Sequence, residues 1–179
     1  MITSWTDLRE YVAADKTAFL AGTDVRTFTQ PQFVWTVQLR VAEWATNCWR
    51  TPPGRAAAAI VWRFVRMRGV RLGFTIPRNV CGPGLALRHW GPITLNVDAR
   101  VGQRCVIHPG VTLGVRDGGA PVVGDDCYLG PGAKAYGGIT IGSGCRIGPN
   151  AVVHRDLAPG SVVRPAPSVV IEPAAAPSG

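Results

Sequence analysis

The sequence predicts a mostly β protein, a parallel solenoid of short strands preceded by an N-terminal α-helical region. Three observations carry this. From about Thr75 onward an aliphatic or small apolar residue returns every six residues, and glycine often follows it. Neither the two-residue alternation of an isolated strand nor helical spacing accounts for such a period. Before about Gly73, in contrast, the apolar residues recur at helical intervals and no six-residue beat is found.

The elements follow in order. Ser4 can cap a first helix from Trp5 to about Leu20, with Asp7 in the supporting place of a capping box. After "AGTD", Phe33, Val37, Val41 and Trp44 recur at helical spacing, and Pro31 suits a first turn, so a second helix is predicted over Pro31 to Asn47. "TPPG" at Thr51 breaks it. A third helix is expected from Arg55 to Arg68, stopped by Gly69, with Ile60, Val61, Phe64 and Val65 inward and Arg63, Arg66 and Arg68 outward. Trp35, Trp44, Trp49 and Trp62 read as core or subunit contacts.

The beat itself runs through Val101, Ile107, Leu113, Val123, Leu129, Ala135, Ile141, Ile147 and Val153. Every step is six residues except Leu113 to Val123, where "VRDGGAP" adds four. Upstream, Cys81, Leu87 and Ile93 keep the same interval, and a two-residue slip before Val101 joins the runs. Short strands joined by tight turns cannot bury a face alone; stacked, they share one core. The expected divisions are a helical region over 1–73, a β-solenoid over 74–171 and a flexible tail over 172–179.

Composition excludes several classes. The chain has 179 residues, 46% hydrophobic, with net charge +8 carried by arginine, since Lys16 and Lys134 are the only lysines. The arginines are scattered, without zinc-finger or helix-turn-helix patterning, so no nucleic-acid partner is expected. "MITSWTDLREYV" has acidic residues and no apolar run, so it does not read as a signal peptide, and "AAAAIVW" is too short to span a bilayer. A soluble cytoplasmic protein without a membrane partner is the expectation, its five cysteines reduced.

The repeat resembles the left-handed β-helix, hexapeptide-repeat acyltransferases. "GPGLALRHWGPITLN", "CVIHPGVTLG", "VVGDDCYLGPGAKAYGGITIG" and "RIGPNAVVHRDLAPGSVV" resemble the serine acetyltransferase family, especially its shorter members. The left hand comes from this resemblance, because parallel crossovers are ordinarily right-handed. The resemblance implies three hexapeptides per coil, a homotrimer with active sites between subunits, and acetyl-CoA as co-substrate.

Within that frame Cys105, Cys127 and Cys145 each take the fifth place of a hexapeptide and stack in one inward column, as core rather than metal ligands. Leu87 and Ile107 share a column once the slip is removed, so His89 and His108 should leave one corner on adjacent coils, roughly 5 Å apart in rise. His89 in "LRHWG" matches the family's catalytic histidine. The resemblance assigns it the role of general base toward an acceptor hydroxyl, which an imidazole with ordinary pKa near 6.5 suits. His108 matches a histidine of the shorter members and would orient the acceptor or steady charge on His89; a turn residue bonded to backbone is the alternative. Arg88 and Trp90 flank His89 as acceptor-binding candidates, with a bystander salt bridge as the alternative for Arg88. Gly114 and the run Gly132, Ala133 and Lys134 match the family's CoA-binding pattern, Lys134 as a point charge for a phosphate. His154 reads as solvated.

The departures weigh as much. Phe74 stands where the family has a carboxylate supporting the histidine, Arg88 replaces an acid that holds the serine amino group, and "VRDGGAP" lacks the Arg-His pair that grips its carboxylate. An ammonium beside Arg88 would be repelled, so an anionic acceptor or a sugar becomes plausible. The terminal "SVVRPAPSVVI" also departs from the family's ending. A zinc site of three histidines is not expected, since His154 lies more than two coils from His108. The alternative to an O-acetyltransferase is a non-catalytic β-helix scaffold.

Overall fold

The computed structural model describes residues 1–21 and 29–166, so the expected tail over 172–179 lies outside the described residues. Three helices, α1 (Trp5–Leu20), α2 (Pro31–Cys48) and α3 (Pro52–Leu72), precede thirteen short strands. Ser4 caps α1 by accepting from the Asp7 N–H at 3.0 Å, while the Asp7 carboxylate accepts from Thr3 and Ser4. Those hydrogen bonds, from Thr3 foremost, hold the Asp7 carboxyl down at about 2.

α3 departs from expectation at both ends. Thr51 caps it and Pro52 and Pro53 occupy its first turn, where a missing N–H costs nothing. It then runs through Gly69 and stops at Gly73, whose φ of +85° is the left-handed cap that glycine adopts cheaply. Gly69 is spent on close packing instead: a Cβ there would lie 3.0 Å from the Trp35 indole nitrogen. The inward face also differs, because Ile60 and Phe64 are exposed and only Ala58, Val65 and Gly69 are buried.

The strands β1 (Phe74–Thr75), β2 (Ala86–Leu87), β3 (Ile93–Leu95), β4 (Arg100–Val101), β5 (Val106–Ile107), β6 (Thr112–Gly114), β7 (Val122–Val123), β8 (Tyr128–Leu129), β9 (Lys134–Tyr136), β10 (Thr140–Ile141), β11 (Arg146–Ile147), β12 (Val152–Val153) and β13 (Val162–Val163) wind into a parallel β-helix of the left-handed hexapeptide class. Its three faces are ordered β1-β3-β6-β9-β12, β10-β7-β4 and β13-β11-β8-β5-β2. Each residue of the six-residue beat from Val101 to Val153 is buried, which is why the period exists: one side chain per strand must fill the shared interior. Cys105, Cys127 and Cys145 are buried in one column, their thiols donating to carbonyls of Gly124, Gly142 and Ala158.

The two-residue slip sits elsewhere than expected. Leu87 pairs with Ile107, twenty residues on, whereas Leu95, not Ile93, pairs with Leu113, eighteen on. The extra residues therefore belong to the corner between Leu87 and β3, the stretch that carries His89 and Trp90. Gly91, at φ +139°, closes this longer corner against Gly73 and Pro109. The four-residue insertion forms a two-residue hairpin: Arg116 and Gly119 exchange backbone hydrogen bonds of 3.0 and 3.1 Å around Asp117 and Gly118, both at positive φ.

A buried ionic clamp joins the helices to the first coil. Arg40 of α2 donates to Asp15 of α1 at 2.8 Å, to Glu43 at 3.0 Å and to the carbonyls of Cys81 and Gly82 at 2.9 and 2.7 Å. The 2.8 Å bond to Asp15 goes to its Oδ2; the other carboxylate oxygen, Oδ1, accepts from the Gly84 and Leu85 N–H groups. Coulomb attraction to the two carboxylates outweighs burial and raises the Arg40 pKa, so the guanidinium stays charged at 0% exposure.

Candidate active site

The corner after β2 and β5 gathers the polar side chains singled out in the sequence. His89 leaves the extended corner two residues after Leu87, and His108 leaves one residue after Ile107; their ring centroids lie 6.3 Å apart. The longer corner thus lets a residue of a different hexapeptide phase reach its neighbour. His89 and Trp90 are exposed and His108 is half-buried. Burial, followed by the charges of His89 and Arg88, lowers the His108 pKa below its ordinary 6.5.

Two further residues extend the ladder and escaped sequence reading. Tyr128, one coil beyond, packs its ring 5.1 Å from His108, and Arg146 on the next coil lies 4.8 Å over that ring. The signal was available: Val106, Tyr128 and Arg146 share a register column, one place before the buried aliphatic residue of each strand.

Arg88 is held from behind. Its guanidinium donates to the Phe19 carbonyl in the last turn of α1 at 3.1 Å, and its own carbonyl accepts from Gln32 at 3.4 Å. The cation thus sits by a helix C-terminus, which favours it. Among the described residues with buried side chains, Gln32 Oε1 stands without a hydrogen-bond partner. Phe74 is buried edge-on against Trp35 with ring centroids 4.9 Å apart, a core residue with no proton to exchange.

The residues matched to CoA binding divide between two corners of the chain. The Gly130–Gly132 turn stacks on the His108–Gly110 turn, with Gly132 donating to the Pro109 carbonyl at 2.9 Å. Lys134 follows on β9, its ammonium on the Gly132 carbonyl at 2.9 Å. Ala133 points inward and is buried, and its N–H and C=O both bond within the coils, so its side chain is unavailable to a ligand. Gly114 ends β6 at the next corner, under the Tyr136 ring. There Arg116, Asp117, Tyr136 and His154 line a hollow of about 410 Å³ with the inserted hairpin. The hairpin is thus separated from the histidines by the length of β6. Among the described residues no group of three or more His, Cys, Asp or Glu is placed to hold a metal ion.

Comparison with known proteins agrees with this architecture. Residues 120–155 match the family model of the bacterial transferase hexapeptide (six repeats). A search of curated proteins finds no significant match. Among solved structures, serine acetyltransferase isoform 3 of Entamoeba histolytica in complex with cysteine aligns at TM-score 0.71 and 22% identity, over 93% of this chain and 62% of that one. The serine acetyltransferase of Neisseria gonorrhoeae in complex with serine aligns at 0.72 and 25% identity, over 90% and 68%. The soybean serine acetyltransferase apoenzyme aligns at 0.70 and 25% identity, over 89% and 69%. This chain thus spans about three fifths to seven tenths of these three proteins. In repeat and in fold together, it is similar to the serine acetyltransferases among hexapeptide-repeat acyltransferases.

Proposed function

We propose that the protein is an acetyl-CoA-dependent O-acetyltransferase acting on a small-molecule hydroxyl, with His89 as general base. The observation that carries this reading is the convergence of His89 and His108 at one corner, 6.3 Å apart, on an otherwise repetitive solenoid. Acetyl-CoA would supply the acetyl group as an activated thioester. His89, exposed beside Trp90, would take the hydroxyl proton as the acceptor oxygen bonds to the acetyl carbon. As the carbon–sulfur bond breaks, that proton would pass to the departing CoA sulfur, leaving an acetate ester and free thiol. General-base assistance of this kind contributes about 10² to 10⁴ in rate.

His108, tuned toward its neutral form, would orient the acceptor or accept a hydrogen bond rather than add a second positive charge. Arg88 keeps a cation at the corner, which disfavours an acceptor ammonium and suits an anionic group or a sugar. Gly114, Gly132 and Lys134 are the proposed CoA contacts, while Ala133, buried and with both backbone groups bonded within the coils, serves only to space them. Because they fall at two corners, the proposed assembly is a homotrimer in which neighbouring subunits complete each site. A monomer at working concentration would count against it.

The test is CoA thiol release from acetyl-CoA with L-serine, hydroxy acids and sugars as acceptors. His89→Ala should lose about 10² to 10⁴ in rate while still binding acetyl-CoA. An unimpaired variant would remove His89 from the mechanism, and absence of any acetyl-CoA binding would favour a scaffold.

A further inference from the structure

We infer that α3 is a docking surface for an anionic lipid bilayer, on which the protein rests without crossing it. The helix is 21 residues long yet buries only Ala58, Val65 and Gly69, a thin line along one side. On the opposite side Ile60, Phe64, Met67 and Val70 are 57%, 67%, 47% and 68% exposed. Ile60, Phe64 and Met67 recur at helical spacing and form one stripe, which Arg71 continues. With Val37 and Val41 of α2, Phe64 and Met67 border an apolar groove of about 770 Å³, rimmed by Arg68 and Arg71.

Charge identifies the occupant. α3 contains five arginines, Arg55, Arg63, Arg66, Arg68 and Arg71, and no acidic residue. The charged residues of α2, Arg40 and Glu43, are both buried in the clamp, so the exposed α2–α3 face is purely cationic around its apolar stripe. A second copy of this face would set arginine against arginine. A folded protein partner would be registered by polar groups, and the groove offers only Gln38 besides its two arginines. A bilayer needs no register: apolar side chains that protrude sink below the headgroups while arginines on either flank reach anionic phosphates. No helix among the described residues is long and apolar enough to cross a membrane, so the attachment is peripheral. This departs from the expectation, read from the sequence, that no membrane is involved.

Sedimentation of the full chain with vesicles of phosphatidylcholine alone, or mixed with phosphatidylglycerol, tests the inference. Binding to the mixed vesicles alone, weakening with salt, is the expected result. Arg68→Ala and Arg71→Ala should each reduce it about fivefold, and Phe64→Ser about tenfold or more. All three side chains are surface-exposed, and circular dichroism would verify that the fold is kept. Arg155→Ala, on the far coils, should leave binding unchanged. Failure to bind either vesicle, equal binding to both, or self-association abolished by Phe64→Ser in place of vesicle binding would each overturn the inference. Acetyl transfer is not read out, so this outcome stands apart from that of the proposed function.

Discussion

Arg40→Met removes the clamp while filling a similar volume, and its cost follows from what is left behind. The guanidinium makes three hydrogen bonds to the carboxylates of Asp15 and Glu43 and two to the carbonyls of Cys81 and Gly82, all out of water. Methionine satisfies none, and two buried carboxylates lose their counter-ion. Removing one partner of a buried pair typically costs about 3–5 kcal/mol. At about 2–4 °C per kcal/mol for a chain of this size, the midpoint of thermal unfolding should fall by about 6–20 °C. Urea unfolding followed by tryptophan fluorescence reads the affected region, because Trp90 is the only tryptophan outside the helical part. Adding Asp15→Asn to Arg40→Met should restore part of the loss: one stranded charge disappears, while an amide oxygen can still accept from the Gly84 and Leu85 N–H groups. A loss below about 1 kcal/mol for Arg40→Met, or no recovery in the double variant, would refute the clamp as the joint between helices and β-helix.

Three other predictions follow from the same geometry. His108 has a folded-state pKa below 6.5, so the unfolded chain binds more protons and stability declines as pH falls below that value. His108→Gln should flatten the urea midpoint between about pH 7 and about pH 5 relative to the parent; an unchanged slope would contradict it. Gly73→Ala places a methyl at φ +85° and 2.7 Å from the Gly91 backbone, two residues from His89. It should destabilise by at least about 1–2 kcal/mol and lower the proposed acetyl transfer, and activity unaffected in a destabilised protein would separate the corner from the chemistry. Of the five cysteines, Cys48 alone is partly exposed. A thiol reagent should therefore label one group in the native protein and five after denaturation, and rapid native labelling of more than one would contradict the buried column.

The sequence by itself determined the β-helix, because a solenoid repeats one burial requirement and writes it as a period, which residue spacing alone carries from Val101 to Val153. It also brought His89 and His108 together, since column arithmetic works wherever strands stack in register. It placed the slip wrongly because Ile93 and Leu95 are both aliphatic and both buried, and only the pairing of Leu95 with Leu113 separates them. The end of α3 was misread for a related reason: glycine signals either a stop or a close approach, and the Trp35 indole decided which. Nothing in the sequence distinguishes Arg40 from the other arginines, yet it is the buried joint between Asp15 and the first coil. Non-local partners of that kind leave no periodic trace in the chain. The unburied face of α3 is likewise a tertiary outcome, because the helix packs chiefly on α2 and β1 and these cover only the side that carries Ala58, Val65 and Gly69.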